Sequence, residues 1–397
     1  MAARAIGVAA WLAALVVCAG CDSDADTPAE LDAEVSAPTP AISEPLAPTG
    51  RPAPKRGEPG YAASPTCHGR RHATILGTDG DDTIVGTRAE DVIITFGGDD
   101  RISHLRHGDE VCAGAGDDTV SDVGRWGWSI DLGSGDDLLS DVEGPGTVIG
   151  GTGADRLTLP LDAIAVDAGP GDDTIRVVAS GPPQFPYDNP YNSPCISFRA
   201  APRPVHVHLL RGWARGLGRD RLLNVHCLEG SRFGDTVVGS RYADYIEAGG
   251  GADTVWSLGG NDVVYDRSYP GVGDTFHLGP GDDSAASGGG ADRVYGWLGD
   301  DFIEAGAGPD YLDGGAGDDE LLAAYRCDGD NSGGSGMVDQ APNEVFGGPG
   351  DDKLTGDLGN DRLNGGPGLD TADGGHEDGR LDWFESVEQT MVCQTSF

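Results

Sequence analysis

Positive charge is scarce in this chain: Lys and Arg number 26 against 66 Asp and Glu, a formal net charge of −40 over 397 residues. Such a balance repels nucleic acid and anionic membrane surfaces rather than steering them in, and it attracts cations. Apolar residues make up only 38% and aromatics 7%, too few for several conventional cores. No apolar run of about eighteen residues occurs after Val17, so no membrane-spanning helix is expected there. His-Glu-x-x-His and Gly-x-Ser-x-Gly are both missing, which removes the usual signatures of metalloproteases and lipases. Beyond Cys18 and Cys21 there is no Cys-x-x-Cys, so neither a zinc knuckle nor a redox pair is expected.

What the chain has in excess is glycine, 66 residues, with 25 prolines. Scattered without period, that content would signal disorder. It is not scattered. Asp82, Asp91, Asp100, Asp109 and Asp118 stand nine apart, and two residues after each comes Ile84, Ile93, Ile102, Val111 or Val120. After one inserted residue the apolar series continues at Ile130, Leu139, Val148, Leu157, Val166 and Ile175. A second block gives Val237, Ile246, Val255 and Val264, then, after a three-residue slip, Phe276, Ala285, Val294, Ile303, Leu312 and Leu321. A third gives Val345, Leu354, Leu363 and Ala372, so that about twenty-five repeats fill most of the chain after residue 73.

The fullest copies read Gly-Gly-x-Gly-x-Asp-x-apolar-x, at residues 150–157, 314–321, 347–354 and 365–372. This text resembles the RTX, or haemolysin-type, calcium-binding repeat family, which implies a right-handed parallel β-roll or β-helix solenoid, an all-β fold. The physics agrees with the resemblance. A six-residue turn and a strand of about three residues make one repeat, and two repeats make a coil of eighteen, with the apolar eighth position stacked inward. Asp at the sixth position aims a carboxylate between stacked turns, where carbonyls also converge, and Ca²⁺ takes six to eight such oxygens.

Successive nonapeptides lie on opposite edges, so a calcium site needs good turns eighteen residues apart. In the first block those are the turns ending at Asp82, Asp100, Asp118, Asp137, Asp155 and Asp173, all on one edge. The alternate turns are poor: Asp91 follows Thr87, Arg88 and Ala89, Asp109 follows residues 104–108, and the turns before Val148 and Val166 lack the acid. Later blocks have good turns on both edges, at Asp253, Asp262, Asp283, Asp292, Asp301, Asp310, Asp319, Asp352, Asp361 and Asp370.

Residues 1–20 carry Arg4 and an apolar run, the pattern of a secretory signal peptide. Cys21 after Ala19 and Gly20 resembles the lipobox of bacterial lipoproteins, which implies lipidation at Cys21 and a membrane attachment through that lipid alone; Cys18 departs from the family pattern, and plain cleavage nearby is the alternative. Residues 21–60 read as a Pro, Ala and acid-rich disordered tether. The boundaries then expected are 61–179 for the first repeats, 180–229 for a non-repeat insert, 230–322 for the second block, 323–342 for a loop, 343–375 for the third block and 376–397 for a cap.

The insert holds Arg199, Arg203, Arg211, Arg215, Arg219 and Arg221, which neutralise nearby acids or, alternatively, meet an anionic polysaccharide. His206 and His208 share a strand face as a zinc pair would, but Val205, Val207 and Leu209 claim the other face for the core and leave the histidines solvated. Cys67, Cys112, Cys195, Cys227, Cys327 and Cys393 are an even six in an exported chain, with fifteen possible connectivities; the sequential one would staple a cap at each end. The function expected is a calcium-dependent structural or adhesive module at the cell surface, with polysaccharide or another surface protein as partner and no catalytic residues. A carbohydrate-active enzyme built on the roll, or a secreted matrix or calcium-storage component, is the alternative.

Overall fold

The computed structural model describes residues 50–53, 65–69, 71–124, 127–161, 163, 165–178, 194–266, 271–323, 341–357, 359–374, 383–387 and 389–391. The expected signal peptide, Cys21, Cys327 and Cys393 lie outside the described residues. Among those residues there is no α-helix, and the chain winds as a parallel β-solenoid of about 15 turns. Among the described residues no helix is long and apolar enough to cross a membrane.

Successive repeats feed alternate sheets. Thr83–Val85, Arg101–Leu105 and Thr119–Val123 stack in one, while Ile75–Leu76, Val92–Ile94 and Glu110–Ala115 stack in the other. The register is that of an eighteen-residue coil, since Ile84 stands beside Ile102 and Ile102 beside Val120. The single inserted residue near Trp128 is absorbed without a slip, because Val111 still pairs with Ile130. The eighth positions point inward and join one apolar column that runs from Ile75 to Ala372. Each nonapeptide supplies one such residue, with an outward neighbour on either side, which is the alternation that a strand of period two requires.

Outside the column, Trp256, His277 and Tyr295 stack on consecutive coils, with interplanar angles of 10° and 9°. These rings lie over one another along the axis and tie neighbouring coils together.

The insert belongs to the roll. Cys195–Ser197 stacks between Ala165–Asp167 and Cys227–Glu229, and Arg219–Leu223 stacks on Thr174–Val178. Among the described residues of the insert, His206–His208, Trp213–Arg215 and Arg219–Leu223 also pair with one another antiparallel, as a small meander. Val205, Val207 and Leu209 are buried there, His206 is exposed and His208 is half-buried against the Trp213 ring.

Two segments differ from expectation. Residues 50–53 were expected within the tether, yet Arg51–Pro52 pairs antiparallel with Ile75–Leu76 and Ala53 is buried. The reason is the open strand edge of the first coil, which an antiparallel strand covers. At the other end, Trp383–Glu385 and Gln389–Met391 extend the two sheets by one more coil. Disulfides join Cys67 to Cys112 and Cys195 to Cys227, closing separations of 45 and 32 residues. Each such crosslink typically contributes about 2–4 kcal/mol.

Stacking brings glycine backbones very close. Gly133 has φ +102°, and a Cβ built on it would stand 2.0 Å from the Gly114 carbonyl oxygen of the previous coil. Gly133→Ala should therefore destabilise the protein by at least about 2 kcal/mol, read from denaturant midpoints. Gly69 also has a positive φ, but open space surrounds it. Gly69→Ala should cost about 1 kcal/mol, the conformational part alone. Equal losses would mean that the coils can part without cost.

Candidate metal centres

Every sixth-position Asp named from the sequence is buried, Asp82 at 3% exposure and Asp370 at 0% marking the range. They form ladders along the two edges. The backbone N–H of Asp100 donates to Oδ1 of Asp118 at 2.8 Å, and the same bond links Asp118 to Asp137, Asp137 to Asp155, and Asp155 to Asp173. On the same edge further along, Asp253, Asp274 and Asp292 are linked likewise, and Asp292 to Asp310. The opposite edge carries Asp262, Asp283, Asp301, Asp319, Asp352 and Asp370.

Oδ1 is thus satisfied, and the informative atom is Oδ2. In Asp100, Asp118, Asp137, Asp155, Asp173, Asp253, Asp262, Asp274, Asp283, Asp292, Asp301, Asp319 and Asp352 it is buried with no hydrogen-bond partner. The hydroxyls of Thr95, Ser257 and Ser287 stand near Asp100, Asp262 and Asp292, but direct their protons to the carbonyls of Ala113, Leu278 and Ala305. A buried carboxylate oxygen left in this state is costly unless a cation or a proton meets it. Burial, reinforced by neighbouring carboxylates, pushes Asp118, Asp137, Asp173 and Asp352 up to about 7 and Asp253, Asp262 and Asp301 to about 8. Burial also raises Asp274, strongly, and Asp100 and Asp155. The residues therefore fit a divalent cation held by hard oxygen donors, the ligand type calcium prefers.

Glycine at the first position keeps room beside that oxygen. A Cβ on Gly347 would lie 2.2 Å from Oδ2 of Asp352, and one on Gly314 2.3 Å from Oδ2 of Asp319. At the second position the backbone is left-handed, as in Gly114 (φ 110°), Gly133 (102°) and Gly315 (102°), and even in Phe96, Leu258 and Trp297. In these open turns the fourth-position N–H goes to the next coil, Gly116 to Ser134 and Gly135 to Thr152, not to the carboxylate.

A second kind of turn closes on itself. The N–H of Thr78 donates to Oδ2 of Asp82 at 2.6 Å, that of Ser231 to Asp235 at 2.6 Å and that of Ser240 to Asp244 at 2.5 Å. Thr87 serves Asp91, Arg106 serves Asp109 and Asp357 serves Asp361 in the same way. Thr78, Thr87, Ser231, Ser240 and Asp357 are not left-handed, so the peptide presents its N–H to the carboxylate. Gly and Asp spacing grouped Asp82 and Asp361 with the turns expected to take calcium; their geometry groups them with the closed ones. The same spacing passed over Asp274, which stands in the open set. Asp91 and Asp109, set aside as poor, are buried ladder members, with Asp91 N–H donating to Asp109 Oδ1 at 2.8 Å.

Fifth-position acids form a further ladder that runs the other way on the exposed rim. Asp99 N–H donates to Asp81 Oδ1, Asp117 to Asp99 and Asp136 to Asp117, at 2.8–2.9 Å. The recurrent Asp-Asp doublet was the available signal for it.

Open and closed turns should answer mutation differently. Asp118→Ala should lower the number of calcium ions bound, measured by calorimetry. Asp109→Ala should leave that number unchanged while removing the acceptor of two backbone N–H groups, a cost of about 1–3 kcal/mol. Equal losses of calcium would contradict the division.

A family model for RTX calcium-binding nonapeptide repeats, four copies long, matches residues 76–105, 229–264, 272–303, 298–324 and 342–375. No curated protein matches the chain. Asp82, Asp100, Asp253, Asp262, Asp283, Asp292, Asp301, Asp319, Asp352 and Asp370 all lie inside the matched segments. The chain carries RTX calcium-binding nonapeptide repeats and is a calcium-binding repeat protein.

Proposed function

We propose that this protein is an exported, calcium-folded module of the cell surface, held there through a lipid on Cys21 and acting structurally or adhesively rather than by catalysis. The observation that carries the reading is the row of buried Oδ2 atoms without partners, from Asp100 to Asp352, whose burial a bound cation would compensate. Free calcium at millimolar levels is found outside cells, so such a chain would remain unfolded until it has left the cytoplasm. Exposed Arg and rim carboxylates give the folded roll polar outer faces suited to a polysaccharide or another surface protein.

The test has two arms. Immobilised full-length protein should retain surface polysaccharide or a surface protein in calcium and release it in EDTA. Turnover of polysaccharide that survives loss of retention would favour an enzyme instead. In the second arm the native protein should partition into detergent phase, and Cys21→Ser should move it to the aqueous phase with calcium binding unchanged. An unacylated N-terminus by mass spectrometry would favour a freely secreted matrix component.

A further inference from the structure

Closed turns are not spread evenly along the roll. One edge begins at the closed turn of Asp82 and, after the insert, begins again at the closed turn of Asp235. The other begins with two closed turns, Asp91 and Asp109, and begins again at Asp244. Every run of the ladder thus starts on a turn that satisfies its own carboxylate. The physical reason is that a starting turn has no good turn eighteen residues before it with which to share an ion.

The same two places hold the two disulfides. Cys67–Cys112 spans the closed turns of Asp82, Asp91 and Asp109 together with the open turn of Asp100, and Cys195–Cys227 directly precedes the closed turns of Asp235 and Asp244. They also hold basic side chains supplied by the chain itself. Arg71 donates to the Gly108 carbonyl at 2.7 Å and pairs with Glu90 at 3.2 Å. Arg199 pairs with Glu229 at 2.9 Å, and His226, at the ladder position below Asp244, meets its Oδ1 at 2.8 Å, both groups buried. Between residues 195 and 247 no buried carboxylate oxygen lacks a partner.

We propose that residues 66–112, apart from the open turn of Asp100, and residues 195–247 form two calcium-independent nuclei, and that the calcium-filled coils extend from them. Each nucleus offers a preformed strand edge on which the next coil, with its ion, can settle. Nucleation then need not wait for several ions to meet several unformed turns at once. The proposal takes from the calcium reading only the contrast between coils; the closed turns and crosslinks stand without it.

Hydrogen exchange read by mass spectrometry on the full-length protein, disulfides intact, tests this at neutral pH. In EDTA, amides of Val92–Ile94 and Tyr245–Glu247 should exchange at least about tenfold more slowly than those of residues 156–159 and Phe302–Glu304. Calcium should then slow the second pair and change the first little. Fast exchange in all four segments in EDTA, with calcium slowing all four, would overturn the nuclei and leave the calcium reading standing. Slow exchange everywhere, with or without calcium, would overturn the calcium reading and the contrast together.

A double variant, Ser231→Gly with Ser240→Gly, separates turns from crosslink. It should lose the protection of Tyr245–Glu247 in EDTA and keep that of Val92–Ile94, which serves as a control within the molecule. Unchanged protection of both segments would assign the second nucleus to its disulfide and overturn the part given to closed turns.

Discussion

Stripped of calcium by a chelator at neutral pH, the protein is expected to lose more than half of its far-UV strand signal and to regain it at millimolar calcium. Three features make this the largest effect in the molecule. The formal charge is −40, so the compact chain repels itself. One apolar side chain per nonapeptide faces the core, far less than a globular domain of this size buries. Among the described residues, at least thirteen carboxylate oxygens are buried without partners, each a cost that only a bound cation or proton relieves at that position. Ion binding supplies what the core does not, so binding free energy becomes folding free energy. The residual signal in EDTA should belong to the crosslinked segments. A strand signal that is indifferent to EDTA would sink this account.

Acid should do in part what calcium does. Burial raises Asp118 and Asp137 to about 7 and Asp262 and Asp301 to about 8, against an ordinary value of 3.8. Between those values the folded, calcium-free roll binds more protons than the unfolded chain. Its stability is therefore full below about 3.8 and is lost as pH rises through 7 to 8, by about 1.4 kcal/mol per pH unit for each extra proton held. In EDTA, lowering the pH from 8 to 5 should restore strand signal. In calcium the same step should release the ion, because protons compete for the same oxygens. Circular dichroism with a calcium indicator reads both at once; strand signal that falls with acid in EDTA would contradict the protonation argument.

Much of this molecule is visible in its text. The nine-residue period and the apolar eighth position dictated the two sheets, the inward column and the assignment of turns to edges, even across the extra residue before Ile130. That legibility comes from stacking, which forces each coil to repeat the chemistry of the last. The division of turns was less visible. It depends on whether the second residue of the turn is left-handed, and a sequence shows this only indirectly. Ser and Thr at that position, in Thr78, Thr87, Ser231 and Ser240, carry hydroxyls that also bond the carboxylate, so a side-chain feature accompanies the backbone one. Phe96, Leu258 and Trp297 show the opposite difficulty, being bulky residues held left-handed where glycine is usual. Neighbouring coils fix their backbone through stacked hydrogen bonds, and no local propensity announces that. Residues 195–229 lost their period in the text while keeping their place in the stack, because the added chain leaves as a meander and returns to the register of Thr174–Val178.

The count of calcium ions tests the central claim most directly. Turns whose Oδ2 is partnerless are linked through N–H to Oδ1 bonds in four stacked pairs from Asp100 to Asp173, two from Asp253 to Asp292 and four from Asp262 to Asp352. Titration calorimetry of the chelator-treated protein, checked by native mass spectrometry, should accordingly find about ten ions, one for each pair of turns. A folded roll that binds two ions or fewer would contradict the claim that these oxygens are held for calcium.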